Sequence, residues 1–235
     1  MSFVNAGSPW VWFEFAGLAA TAGSVLLAID RGQHSGQHRE RRRWAALRGW
    51  RFVPADPALA GSWCHGVLAG QSAGLAKDIV IGSLFTPMGR RAVRIFDHER
   101  GGQVSSVVVA VQRRVHGAGL VAELWLPDQP LPRDPELTLL GPVGERVALV
   151  TEPDRAALLA SPEFVFAVNS LGGDIPVAWL ERDWVLAAAP CTVTPTRLER
   201  LLRVLNEIAD LLDVAGLDKT GEPGCFVDSV DGAMS

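Results

Sequence analysis

The chain has 235 residues, a net charge of −4 and 48% hydrophobic residues. An acidic balance excludes a protein built to neutralise nucleic-acid phosphates, and no nucleic-acid partner is expected. Three widely spaced cysteines, Cys64, Cys191 and Cys225, exclude a disulfide framework and fit a reducing compartment.

In chain order, residues 1–9 form a short leader without Lys or Arg, and residues 10–29 read WVWFEFAGLAATAGSVLLAI. Twenty residues at the helical rise span about 30 Å, the hydrocarbon thickness of a bilayer. Ser8 and Pro9 suit the start of a helix. Trp10 and Trp12 fit an interfacial belt, and the single charge, Glu14, lies one turn from the end, where it reaches the headgroups. A cleaved signal peptide places its basic residues before the apolar run. Here they follow it, as Arg31, Arg39, Arg41, Arg42, Arg43, Arg48 and Arg51. Positive charge stays on the cytoplasmic side, so a retained single-pass anchor is expected in the plasma membrane, N-terminus outside and remaining chain inside.

Residues 30–50 then read as a polar linker and a short basic helix over 39–50, placed to lie against an anionic leaflet or simply to follow the positive-inside rule. Residues 51–214 read as one cytoplasmic α+β domain. Alternation over 50–53 stops at Pro54, and 55–77 reads as a loop rich in Ala and Gly. Apolar, β-branched runs over 78–85 and 90–96, divided by Thr86-Pro87-Met88-Gly89, predict a hairpin. Further strands are expected at 104–111, 120–126, 137–140 and 146–151. A boundary between two small lobes would fall in the proline-rich stretch 127–136. Short helices follow at 154–160 and 162–169, the second capped by Ser161. A second hairpin spans 177–180 and 184–188. Thr194 and Pro195 then open a helix whose stripe is Leu198, Leu201, Leu202, Leu205, Ile208, Ala209 and Leu212, the pattern of a face packed on a sheet. Residues 215–235 read as a disordered tail. The fold class is α+β, a mostly antiparallel sheet with helices on one face.

Few residues offer chemistry. Gly70-Gln71-Ser72-Ala73-Gly74 matches the string of an esterase nucleophile elbow, with Asp78, Asp97 or Glu99 as the acid and His98 or His116 as the base. That elbow joins a strand to a helix, whereas here no strand leads in and a strand follows, so a Gly/Ala loop is the better reading. Gly66, Gly70 and Gly74 recur every four residues without the Lys-Ser/Thr of a phosphate loop. His34, His38, Cys64 and His65 lack the spacing of a metal site, and Cys191 has no basic neighbour to activate it. Trp50, Trp125, Trp179 and Trp184 suit a core or interface, and a lipid groove would use them too. No catalytic, cofactor or metal residue is therefore assigned. Arginine outnumbers lysine 20 to 2 and tyrosine is absent, a pattern of high-GC coding.

Several pieces recur together in order. The anchor runs into Arg48-Gly49-Trp50-Arg51-Phe52-Val53-Pro54. Then come Asp78-Ile79-Val80-Ile81-Gly82, Arg91-Ala92-Val93-Arg94-Ile95-Phe96-Asp97, Val107-Val108-Val109-Ala110-Val111, the hairpin at Trp184-Val185-Leu186 and the leucine-rich helix. This order resembles a family of actinobacterial single-pass membrane proteins, that of the mycobacterial trehalose monomycolate transport factor. His98 stands where the family usually has an aromatic residue. The resemblance implies a membrane-anchored, non-enzymatic accessory component with a membrane-protein partner, in envelope lipid transport, and supplies no catalytic residue. The rival readings are a tethered serine hydrolase and a lipid or small-ligand sensor.

Overall fold

The computed structural model describes residues 36–70, 74–87, 89–114 and 120–220. The expected anchor at 10–29 lies outside them, as do Ser72, His34, His116, Cys225 and most of the expected tail. Among the described residues no helix is long and apolar enough to cross a membrane.

Helix α1 occupies residues 36–47. Nine strands follow: β1 (Arg51–Asp56), β2 (Leu75–Thr86), β3 (Gly89–Arg100), β4 (Gln103–Gln112), β5 (Ala122–Trp125), β6 (Thr138–Val143), β7 (Arg146–Val150), β8 (Val177–Glu181) and β9 (Trp184–Ala189). Between them lie a one-turn helix α2 (Pro57–Ala60), 3-10 turns at Gly66–Leu68 and Pro153–Ala160, and helix α3 (Pro162–Asn169). Helix α4 (Pro195–Thr220) closes the described chain. All nine strands join one sheet in the order β1-β2-β3-β4-β9-β8-β5-β7-β6, every pairing antiparallel. The β8–β9 hairpin, made late in the chain, is inserted between β4 and β5.

The Val-rich run of β4 shows why its apolar residues are continuous rather than alternating. Val107, Val109 and Val111 enter the core under the helices. Val108 and Ala110 enter the core on the opposite face. A strand buried on both sides has no solvent face to mark with polar residues. The helix face is covered by α1, α3 and α4. The seven stripe residues of α4 are all buried there, each contributing on the order of 1.5–3 kcal/mol for the larger side chains. Thr194 Oγ1 accepts from the Arg197 N–H at 3.3 Å and Ser161 Oγ from the Phe164 N–H at 3.3 Å, so both expected caps are in place.

Two local expectations are corrected. Pro54 does not end β1 but sits inside it. It is tolerated because β1 is an edge strand, with one row of N–H groups unpaired in any case. Residues 57–70 are not a plain loop: Leu59, Ala60, Trp63 and Leu68 cover the second face of the sheet.

Candidate functional site

The chain that emerges from the N-terminal segment reaches the sheet through α1. Arg41, Trp44 and Ala45, at helical spacing, form its buried face, and Arg39, Arg42 and Arg43 remain exposed. Arg41, expected among the leaflet-facing charges, is turned inward onto Asp97. His38 Nδ1 lies 2.6 Å from Asp78 Oδ1. Asp78 is one of two described non-glycine residues with positive φ, at +49°. The sheet register slips between Lys77 and Val80, and this bulge aims the Asp78 carboxylate at the helix. Lys77 Nζ pairs with Glu99 at 2.5 Å. His38, Lys77, Asp78, Asp97 and Glu99, with Gln37, Arg39 and Val104, line an open cleft of about 400 Å³.

One turn further on, Glu199 of α4 joins the contact. Trp44 Nε1 donates to Glu199 Oε1 at 3.0 Å and Arg48 approaches the same oxygen at 2.7 Å. The Trp44 hydrogen bond and then Arg48 hold this carboxyl below its ordinary range. The Arg48 guanidinium also lies over the rings of Trp44 and Trp50, at 5.3 and 5.1 Å from their centroids. Trp50 in turn rests on Gly82, where a Cβ would come within 2.2 Å of the indole. The motif from Arg48 to Val53 thus seats α1 on β1, β2 and α4. A second groove, of about 330 Å³, runs between α1 and β1 beside His38, Arg42, Trp50 and Phe52.

Behind the sheet, a motif that sequence reading missed clamps the 57–70 segment. The Cys64 N–H donates to both oxygens of Glu181, at 2.8 and 3.1 Å, and the His65 N–H to Glu181 Oε2 at 3.2 Å. The Gly66 N–H donates to Glu123 Oε1 at 2.7 Å, and Trp125 Nε1 to Glu123 Oε2 at 2.6 Å. Both glutamates are buried. Three consecutive N–H groups therefore form an anion nest filled by the protein's own carboxylates. The available signal was a lone glutamate inside the apolar run Val121 to Leu126, since a charge in a buried strand needs a partner.

His65 Nδ1 lies 3.6 Å from Glu123 Oε1 and 3.9 Å from Asp134 Oδ2. Glu123 raises the imidazole pKa most; burial opposes it, and Glu181 and Asp134 add to the rise. A pKa raised on folding gives stability that is complete below the unfolded value of about 6.5 and is lost as pH rises through the folded value. Urea unfolding is therefore expected to show the wild type more stable relative to His65→Gln at pH 6 than at pH 8. A difference that is flat, or grows with pH, would count against this arrangement.

The residues once grouped around Ser72 are placed as follows. Asp78, Asp97 and Glu99 pair with His38, Arg41 and Lys77. His98 is buried against Gly74, takes a 3.2 Å contact from Ser105 Oγ at Nδ1, and is pushed down by burial and then by Arg100. A 3-10 turn precedes the Gly70–Gly74 string and β2 follows it, the reverse of the strand-to-helix context of an elbow. The glycine spacing has packing reasons instead: Gly66 lies under the Trp179 indole and Gly74 against His98. Among the described residues no three His, Cys, Asp or Glu side chains gather as a metal site. Cys64 is exposed and Cys191 half-buried, both as free thiols. Trp125 and Trp179 are core residues, while Trp50 and Trp184 are half-buried at its margins.

A family model described as trehalose monomycolate transport factor TtfA matches residues 9–224. Trehalose monomycolate transport factor A of Mycolicibacterium smegmatis is 29% identical over 204 residues, which span 87% of this chain and 70% of that protein. The crystal structure of the mycobacterial trehalose monomycolate transport factor A, TtfA, aligns with a TM-score of 0.67 at 29% identity, covering 76% of this chain and 96% of that one.

Proposed function

The chain belongs to the trehalose monomycolate transport factor family, and from that premise we propose that it is a non-enzymatic accessory factor for trehalose monomycolate transport, tethered to the plasma membrane by residues 10–29. In this reading the N-terminus lies outside, the α+β domain lies in the cytoplasm, and the domain acts as an adaptor for a membrane-protein partner.

The observation that carries the reading is the seating of α1. Helix α1, the first described element after the apolar run, is part of the domain: it enters the core through Arg41, Trp44 and Ala45. A tether at residues 10–29 would therefore join the domain at a helix that belongs to its core. Arg39, Arg42 and Arg43 remain exposed on the same helix, free to meet anionic headgroups.

Removing residues 1–30 is expected to leave a folded domain in the soluble fraction and to abolish its role in cells. Full complementation of a deletion strain by that truncated form would sink the proposal. For the basic face, each Arg near an anionic leaflet contributes about 1 kcal/mol, so Arg42→Ala with Arg43→Ala should weaken binding of the truncated chain to phosphatidylglycerol vesicles by roughly 30-fold. Unchanged sedimentation with those vesicles would remove the lipid contact from the account.

A further inference from the structure

The segment that covers the second face of the sheet does so over only part of its length. Cross-strand partners share a face. Ile81 pairs with Arg94, Ser83 with Ala92 and Phe85 with Arg90. Ile81 and Arg94 mark the limit of cover, for Trp63 and Trp184 reach them there: the Arg94 guanidinium lies 4.9 Å from the Trp184 ring centroid and 5.9 Å from that of Trp63. Beyond that line the face is open, and Phe85 is 84% exposed, the most exposed of the large apolar side chains described. Arg90 lies over its ring at 5.7 Å and donates from Nε to Ser83 Oγ at 2.8 Å.

We propose that this open end of the sheet, built on Phe85, Ile81, Trp184, Arg90 and Arg94, is a docking face for an acidic, apolar-bearing segment of a protein partner. Charge selects the occupant. Among the described residues neither Arg90 nor Arg94 pairs with a carboxylate; both instead stand over aromatic rings, with donors left over. Aromatic rings beside arginine form the composition that dominates binding energy at protein interfaces. A carboxylate on the incoming segment completes the guanidinium groups, and neighbouring apolar side chains cover Phe85 and the edge of Trp184. Position argues against the bilayer as occupant. His38, near the start of α1, meets the sheet at Asp78, and Phe85 lies seven positions further along β2, roughly 20 Å away at the rise of a strand. The face is thus at the end of the sheet remote from the start of α1.

The proposal rests on the adaptor reading, and the two are tested separately in the same cells. The full-length chain would carry a photo-crosslinking phenylalanine analogue at Phe85, with Phe166, 69% exposed on α3, as the control position. Crosslinking at Phe85 to a defined acidic segment of another protein, absent at Phe166 and reduced at least tenfold by Arg90→Glu, is the expected result. Crosslinks to lipid, to a second copy of this chain or to nothing would overturn the docking face. So would a protein crosslink indifferent to Arg90→Glu, since a surface substitution at an exposed hairpin residue leaves the fold in place. Membrane fractionation of those cells reads the tether independently: a soluble chain would defeat the adaptor reading whatever Phe85 contacts.

Discussion

Arg91→Ala is expected to destabilise the domain by about 3–5 kcal/mol, the usual cost of removing one partner from a buried ionic cluster. The Arg91 side chain is inaccessible to solvent. It is gripped by Asp210 and Asp213 of α4, the latter at 2.8 Å, and donates to the Gln112 carbonyl at 3.2 Å. Its removal leaves Asp213 in the interior with fewer cations, although Arg113 at 3.5 Å and the Arg114 N–H at 3.0 Å remain. Those survivors place the loss toward the lower end of the range. Two controls separate charge from volume. Arg91→Met restores most of the bulk and is expected to be nearly as damaging, since the stranded carboxylate is the cause. Combined with Asp213→Asn, Arg91→Met should cost much less than the two single changes added together, the coupling expected of groups in one network. Urea unfolding of the chain freed of residues 1–30 reads all four variants, Asp213→Asn alone among them. Additive losses would mean that Arg91 acts as packing alone.

Gly66→Ala comes second, at about 2–4 kcal/mol. Two costs combine. Gly66 has φ +61°, where a side chain is strained, and its Cβ would stand 2.5 Å from Cδ2 and 2.6 Å from Cε3 of Trp179. That indole is fully buried at the centre of the second core, so it has nowhere to retreat. Gly101→Ala isolates the first cost. Its φ is +60° and nothing stands within 4 Å of the new methyl, so about 1–2 kcal/mol is expected there. If the two alanines cost the same, close approach of backbone to indole contributes nothing. Near-UV circular dichroism gives a second check, because a displaced Trp179 changes its signal at Gly66→Ala and not at Gly101→Ala.

Much of the element sequence was legible because each element carries its own local signal. Thr194, Pro195 and a leucine stripe suffice for the start and the buried face of α4, and Thr86-Pro87-Met88-Gly89 marks a tight reversal. Strand order was not legible. Nothing local to Val177 or Trp184 says that their hairpin goes between β4 and β5, since insertion depends on which exposed edge it meets. Pro54 misled because proline reports a missing donor, and whether that matters depends on an edge position only the sheet defines. The charged sites were the hardest to see. Glu123 with Gly66, Arg91 with Asp213 and Trp44 with Glu199 join residues far apart in sequence, and pairing at that distance leaves only an oddly placed charge as a trace. Glu199 shows the limit well: it lies outside the leucine stripe that marks α4, yet it is the residue on which Trp44 and Arg48 converge.

The placement of β4 also bears on how the chain is made. Its last partner, β9, is not complete until Ala189, long after Val107 to Val111 have left the ribosome. At roughly 5–20 residues per second this leaves a valine-rich strand with an open edge for several seconds of synthesis. Such an edge is a template for pairing with another nascent chain. The late hairpin therefore does more than extend the sheet: its arrival seals the open edge of β4, and the speed of translation between β4 and β9 sets how long the newborn protein must be guarded.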